Sequence, residues 1–298
     1  MRIFQVDVFT QERFAGNPAT VVLDADALSE AAMSALGREF AHAEVALVSS
    51  AIAPDHDVRV RFFNARKESP FVGHATLAAH AVLLCVGRRE PGVSRQACGT
   101  GIVEVRAERA APAPFLEFRQ SAAQLESPLP LKTTLRIAEA LRLPATSLDE
   151  MMPARIARKG STRLLVPAAN ADALDLLAPK FDTLLSLGQE LGAEGFFVFA
   201  VDRGPNGQFA TQARMFCPAL GIPEDPASGN AHAMLAAYLV ELGQLALPGQ
   251  PATFIGYQGR QMNRPAQIHV RLELEGGRLA AAHIGGHAVI VSEGSLAA

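Results

Sequence analysis

Cysteine is scarce in this 298-residue chain, with three copies, at Cys85, Cys98 and Cys217. The odd number and the lack of CxxC spacing exclude a disulfide framework and a structural zinc site. Basic tracts are missing too. Twenty-seven Lys and Arg stand against 30 Asp and Glu, a net charge of -3, so nucleic acid and anionic membranes are poor partners. Long apolar runs are absent. The longest, around 75–86, is interrupted by His80 and is too short to span a bilayer. The opening MRIFQVDVFT has no charged start, long apolar stretch or small-residue cleavage site of the kind that marks a secretory signal, and the expected compartment is the cytoplasm. Several catalytic signatures are also lacking. There is no GxSxG elbow, no GxxxxGK[ST] loop, no convincing GxGxxG after the first strand, and no histidine pair with zincin spacing. Nothing points to a nucleotide, a flavin or a metal, so no cofactor is expected.

What is present suits a folded chain of two domains. Hydrophobic residues make up 49% and charged residues 19%, and the length divides naturally into two units of about 150 residues. Alternating apolar and polar residues predict a strand at 3–10, and others are predicted at 19–23, 44–49, 58–63, 102–106 and 115–118. Helical spacing covers 28–40 and 73–86. A crossover between domains is placed in the Ala- and Pro-rich segment 107–115 and the SAAQLESPLPL that follows. Beyond it come a helix at 131–141, one or two helices within 174–191, strands at 195–201 and 211–216, a helix at 229–243, strands at 267–274 and 280–284, and apolar pieces at 287–291.

The two halves echo each other. Glu68-Ser69-Pro70-Phe71-Val72-Gly73-His74-Ala75 and Glu224-Asp225-Pro226-Ala227-Ser228-Gly229-Asn230-Ala231 both read E-x-P-x-x-G-x-A. Arg61-Phe62-Phe63 resembles Arg214-Met215-Phe216, and Ala43-Glu44 mirrors Ala193-Glu194. The shared order of strand, strand, loop and helix suggests a duplication.

Each repeat opens a helix on glycine. Unpaired N–H groups at a helix start attract anions, and glycine lets a ligand approach. Gly73-His74 and Gly229-Asn230 would each present such donors, and a cleft between domains holding a small carboxylate would suit them. The plainer alternative is that these glycines, with Pro70 and Pro226, only make turns. Glu44, among small and apolar residues, is a candidate acid/base, since lost hydration lets a carboxylate hold or accept a proton near neutrality. It could equally sit at an edge and reach water. Asp225 before proline could serve catalysis or start a turn, and His74 could be a cap. His42, His80 and His232 are read as structural or surface residues.

On the pieces FQVDVFT, RFAGNPATVVL, AEVALV, RFFNARKESPFVGHATLAAH, RMFCPALGIPEDPASGNAHAMLAAYL, QGRQMNRP and IGGHAVIVSEG, the chain resembles the PhzF family, phenazine-biosynthesis isomerases within the diaminopimelate epimerase-like fold. The pieces run from end to end. The resemblance implies an α/β (α+β) chain of two pseudo-symmetric domains, each a barrel-like sheet around a central helix. Their bounds would be 1–118, with a returning C-terminal strand at about 286–298, and 119–285. It also implies a homodimer, and cofactor-free proton movement on a small amino or hydroxy carboxylate, as in trans-2,3-dihydro-3-hydroxyanthranilate isomerisation. By the match, Glu44 is the general acid/base, and His74 and Asp225 are the polar pair that holds the substrate's amino and hydroxyl side. Gly73 and Gly229 offer backbone donors, and Asn17, Ser228 and Asn230 complete the substrate contacts.

Sister epimerases and proline racemases place a cysteine before each helix-opening glycine; here Val72 and Ser228 stand there. Valine carries no proton and serine is a poor base without a partner, which disfavours two-thiol racemisation. The alternatives kept open are an epimerase or racemase using Glu44 with Asp225 or Ser228, and a non-catalytic binding member. Three departures mark this chain within the resemblance, one of them a difference in detail at Lys67-Glu68-Ser69. Asn230 replaces a common serine, and Asn64-Ala65-Arg66 replaces a common Thr-Pro.

Overall fold

The computed structural model describes residues 1–40, 44–203, 208–245 and 252–296, so His42 and Ala43 lie outside the described residues. The chain separates into two packing units, Met1–Arg119 with Gly285–Ala298, and Gln120–Ile284.

The first unit contains β1 (Arg2–Val8), β2 (Asn17–Val22), α1 (Glu30–Glu39), β3 (Glu44–Ser50), β4 (Val58–Phe63), β5 (Glu68–Ser69), α2 (Gly73–Cys85), β6 (Gly92–Cys98), β7 (Gly101–Glu108) and β8 (Phe115–Ser121). β1 pairs with β2 antiparallel, β2 with β3 parallel, β3 with β4 antiparallel and β4 with β6 parallel, and the hairpins β6–β7 and β7–β8 follow. The last strand of the chain pairs with both β8 and β1. Eight strands thereby close into a barrel, and α2 fills it. A helix facing solvent needs a polar side, whereas one inside a barrel must be apolar all round. α2 meets that demand, with every residue of 75–84 buried. α1 packs on the outside, where Met33 joins Val22, Val45, Leu47 and Phe63. Ser29 caps α1 by accepting a hydrogen bond from the Ala32 N–H.

The second unit contains β9 (Gln124–Leu125), α3 (Leu131–Leu141), β10 (Arg155–Arg158), β11 (Thr162–Pro167), α4 (Ala171–Asp175), α5 (Phe181–Leu191), β12 (Gly195–Arg203), β13 (Phe209–Cys217), β14 (Ile222–Asp225), α6 (Gly229–Glu241), β15 (Thr253–Gln258) and β16 (Ala266–Glu275), and then β17 (Arg278–Ser295), whose later part belongs to the first unit. The pairing scheme repeats: β11–β12 parallel, β12–β13 antiparallel, β13–β15 parallel, β15–β16 antiparallel. α6 is the central helix, buried along most of its length. α3, α4 and α5 cover the outer face of the sheet through Ile137, Leu141, Leu174 and Leu184, which share a core with Phe196 of β12.

The predicted elements are present, with differences that have physical reasons. β5, β6, β9, β10, β11, β14 and β15 were not expected: β5, β9, β10 and β14 are four residues or fewer, and polar residues or glycine interrupt the alternation in β6 and β15. The segment 174–191 holds the end of α4 and all of α5, with Pro179 between them. The two pieces expected near the C-terminus are one strand, β17, running through Gly285-Gly286. A Cβ on Gly285 would lie 2.8 Å from the Leu116 carbonyl oxygen, so glycine allows β17 to pass this close.

The repeat has a structural basis. Arg61 pairs with both carboxylate oxygens of Glu68, at 2.7 Å each, and Arg214 does the same with Glu224 at 2.9 and 2.8 Å. Each guanidinium also lies over a phenylalanine of its own strand, Phe63 or Phe216. The glutamate of E-x-P-x-x-G is thus a tether that fastens the loop to its strand. A glycine seats each loop from the other side. A Cβ on Gly99 would strike Pro70 at 2.7 Å, and one on Gly259 would meet the Pro226 carbonyl at 2.6 Å.

Strand register corrects one expected match. Arg61 lies opposite Leu47, and Arg214 lies opposite Val198. Three residues back from Leu47 is Glu44, but three back from Val198 is Gly195. The counterpart of Glu44 is therefore Gly195 and not Glu194. A slip of one residue turns a side chain to the other face of a sheet.

Candidate active site

Glu44 opens β3 and is half-buried. Its register partner on the parallel strand β2 is Ala19, two residues after the buried Asn17 that opens β2. On its other side β4 ends at Phe63, opposite Val45. The next residue, Asn64, donates from Nδ2 to Glu44 Oε1 at 3.1 Å. Two strand starts and one strand end therefore bring Asn17, Glu44 and Asn64 to one rim of the first barrel. The chain then passes through β5, whose Ser69 pairs with Phe62, and enters α2 four residues later.

The start of α2 has no side-chain cap. Val72 is extended and contributes only its carbonyl, to Thr76 N–H. The N–H groups of Gly73, His74 and Ala75 are the unfilled donors of a first helical turn, and the helix dipole adds partial positive charge there. Gly73 is required sterically: a Cβ would come 2.8 Å from Cζ of Phe118, which packs edge-on against Phe71. His74 is half-buried, and loss of hydration lowers its pKa to about 4. Near neutral pH it is an uncharged hydrogen-bonding ring.

In the second unit the loop before α6 is held by side chains. Asp225 Oδ1 accepts from the Ala227 N–H at 3.3 Å, an Asx-type turn of the kind its position before proline allows. Gln258 reaches in with both ends of its amide, accepting from the Ser228 N–H at 3.1 Å and donating to the Asp225 carbonyl at 2.6 Å. Ser228 Oγ accepts from the Ala231 N–H and so acts as the helix cap. Gly229 is buried. Asn230 Oδ1 accepts from Gln120 at 2.6 Å, while its Nδ2 donates to Ser161 Oγ at 2.7 Å and to the Lys159 carbonyl. Both ends of the Asn230 side chain are thus engaged in tying α6 to the β10–β11 turn, and its backbone N–H is the group it presents at the helix start.

The other reactive groups are built into the core. His80 donates to Gln96 Oε1, receives a hydrogen bond from Arg89, and has its pKa pushed down to about 3, chiefly by burial. His232 donates from Nδ1 to the Ser228 carbonyl at 2.8 Å, and burial lowers its pKa to about 4. Cys217 is buried and its thiol is pushed up to about 12 by desolvation. Among the described residues, no group of three or more His, Cys, Asp or Glu could hold a metal ion, and no helix is long and apolar enough to cross a membrane.

Of the residues singled out from the sequence, the structure places Asn17 and Glu44 at strand starts and Gly73 and His74 at the start of α2 in the first unit, and Asp225, Ser228, Gly229 and Asn230 at and before the start of α6 in the second. It missed Gln258 and Asn64 as working residues. Gln258 was visible inside QGRQMNRP, and Asn64 only as a departure from a common pattern.

Comparison with known proteins agrees with this architecture. Residues 6–294 match the family model described as phenazine biosynthesis-like protein. The uncharacterized isomerase YddE of Escherichia coli K12 is 34% identical over 290 residues, covering 97% of this chain and 96% of that one. The trans-2,3-dihydro-3-hydroxyanthranilate isomerase of Pseudomonas fluorescens is 28% identical over 294 residues, covering 98% and 97%. The crystal structure of a PhzF-family phenazine biosynthesis protein from Bacillus anthracis superposes with a TM-score of 0.86 at 24% identity, over 100% of this chain and 99% of that one. With its paired epimerase-like units and both glycine-opened helices, the chain belongs to the PhzF family and is an isomerase.

Proposed function

We propose that the protein is a cofactor-independent isomerase of a small amino- or hydroxy-substituted carboxylate, similar to trans-2,3-dihydro-3-hydroxyanthranilate, with Glu44 as the general acid/base. Glu44 takes a proton from one carbon of the substrate and returns it to another. The double bond moves in the opposite sense, and no electrons are gained or lost. The observation that carries this reading is the placement of Glu44 at a barrel rim built from two strand starts and a strand end, where the Asn64 amide donates to one of its carboxylate oxygens. A neutral amide donor can hold one carboxylate oxygen while the other gains and loses a proton. His74, uncharged near pH 7, holds a polar substituent of the substrate, and Asp225 keeps the role that the family resemblance implies for it. Gly73 presents a backbone donor to its carboxylate, and Asn17 lies on the rim that carries Glu44; in the second unit Gly229 opens the equivalent helix, with the Ser228 hydroxyl and the Asn230 side chain holding that helix start in place.

The racemase reading gains no support from Ser228, whose hydroxyl caps α6 and whose N–H is held by Gln258. Glu44→Gln keeps the shape and the hydrogen-bonding reach of the side chain but cannot cycle a proton. Turnover of trans-2,3-dihydro-3-hydroxyanthranilate should fall on the order of 10³-fold, with the protein still folded by circular dichroism. Turnover within a few fold of the unsubstituted protein would remove Glu44 from the chemistry.

A further inference from the structure

We propose that Asn64 is the positioning residue for Glu44: it sets the direction of the carboxylate that moves the proton. The inference rests on the reading of Glu44 as the acid/base. It concerns a position where this chain leaves its family's usual pattern.

Four observations meet at Asn64. Its Oδ1 accepts from two backbone N–H groups, those of Arg66 at 2.9 Å and Lys67 at 3.1 Å. Its own N–H donates to the Lys67 carbonyl at 3.1 Å, which closes the turn. With Oδ1 committed to two donors, the amide has one orientation. The reverse would place its NH2 against two N–H groups and its oxygen against a carboxylate. Nδ2 is therefore aimed at Glu44 Oε1, 3.1 Å away. The backbone is clamped as well, because Gly37 of α1 lies against it: a Cβ on Gly37 would stand 2.7 Å from the Asn64 carbonyl oxygen.

The second unit supplies the control. With Arg61 matched to Arg214, Asn64 corresponds to Cys217 and Glu44 to Gly195. There the cysteine sulfur fills the side-chain space of the glycine, since a Cβ on Gly195 would lie 2.8 Å from Sγ. Carboxylate and amide occur together in one unit and are replaced together in the other. A side chain used only to close a turn has no reason to follow the residue across the strand pair. A flexible glutamate samples several rotamers, and a misplacement of about 1 Å at a reacting group can cost on the order of 10²-fold in rate. A rigid donor on one oxygen holds the carboxylate to a single direction.

Asn64→Asp is the discriminating variant. It keeps the acceptor that closes the turn and replaces the donor with a negatively charged oxygen facing Glu44. With trans-2,3-dihydro-3-hydroxyanthranilate as the probe, kcat should fall about 10- to 100-fold while KM stays within about twofold and the melting temperature is retained. Wild-type kcat in Asn64→Asp, alongside loss of turnover in Glu44→Gln, would overturn the inference and leave the reading of Glu44 standing. Full turnover in Glu44→Gln would overturn both. A substrate-free arm separates contact from chemistry. The side-chain ¹⁵N–¹H₂ signals of Asn64, identified by their loss in Asn64→Asp, should shift in Glu44→Gln. Signals that stay in place show that no such contact exists in solution and sink the inference whatever the turnover.

Discussion

The rim of the first barrel carries Glu44 and Asn64, while the matching place in the second unit carries Gly195 and Cys217. Around this difference the two units share almost everything. Each has an arginine–glutamate tether, a glycine seated on a proline, and a buried helix opened by glycine. Deeper in the core the copies have traded volume. In the first unit the small Thr76 of α2 receives a hydrogen bond from the large Gln96 of β6. In the second, the large His232 of α6 packs on Gly256 of β15, where a Cβ would come within 2.0 Å of its ring. Helix-to-strand spacing is held while the bulk moves from one side to the other, as close packing demands. The loops before the helices diverge as well. One helix start is left uncapped, and the other is fastened by Ser228, Gln258 and Asn230. A duplicated scaffold has kept its framework and changed its ends, with the proposed acid/base Glu44 on one copy and a braced helix start on the other.

Four further measurements would break or sharpen this comparison. The largest effect belongs to the pair Glu44 and Gly195: Glu44→Gln should remove on the order of 10³-fold in turnover, while Gly195→Ala should act on stability, through the crowded Cys217 sulfur, before it acts on rate. Kinetics and melting curves on both variants test this, and equal rate losses would undo the division.

Acid sensitivity comes next. His80 in one unit and His232 in the other are fully buried, with pKa values lowered from 6.5 to about 3 and about 4. The unfolded chain binds protons at these rings below pH 6.5 and the folded chain does not. Stability is therefore fully present above that pH and is lost as pH falls toward the folded-state values. Between pH 6.5 and 5 the loss should be on the order of 2–4 kcal/mol in urea titrations. A flat profile over that range would show that the rings are hydrated or already charged.

Gly256→Ala should destabilise by about 2–3 kcal/mol through overpacking against His232. Adding His232→Thr, the size found at Thr76, should raise the melting temperature above that of the single variant. A double variant that melts lower would deny the trade of volume. The smallest effect is expected at Glu194, the acidic residue that the sequence alone pairs with Glu44. It accepts from the Thr162 N–H at 2.9 Å, lies near Arg163 and is about half exposed. Glu194→Gln should change stability by less than about 1 kcal/mol and turnover by less than about twofold. A tenfold rate loss would restore it as the counterpart of Glu44.

Much of this was legible from residue order. Helices that must sit inside a barrel are apolar on every side, so 73–86 and 229–243 stand out in any reading. The E-x-P-x-x-G repeats announced equivalent loops, and the Arg-x-Phe pieces were the other ends of the same tethers. What stayed hidden depends on pairing across strands. β6 and β15 carry polar residues or glycine because those positions face a threonine or a histidine on the central helix, which breaks the alternation that would mark a strand. The Glu44–Glu194 match fails by one residue, and only hydrogen-bonded register reveals it. Asn64 looked like an irregularity of the loop because its work lies across the strand pair, at a residue twenty positions earlier.

β17 has one more consequence. The barrel that holds Glu44 is made from strands at the beginning of the chain, yet its last stave is supplied from Gly285 onward. As the chain leaves the ribosome, the first-made unit must wait with an open seam, between β1 and β8, until the whole second unit has been translated. Closure of the barrel that carries Glu44 is therefore a late, long-range event, and the order of synthesis sets the earliest moment at which that rim can take its final form.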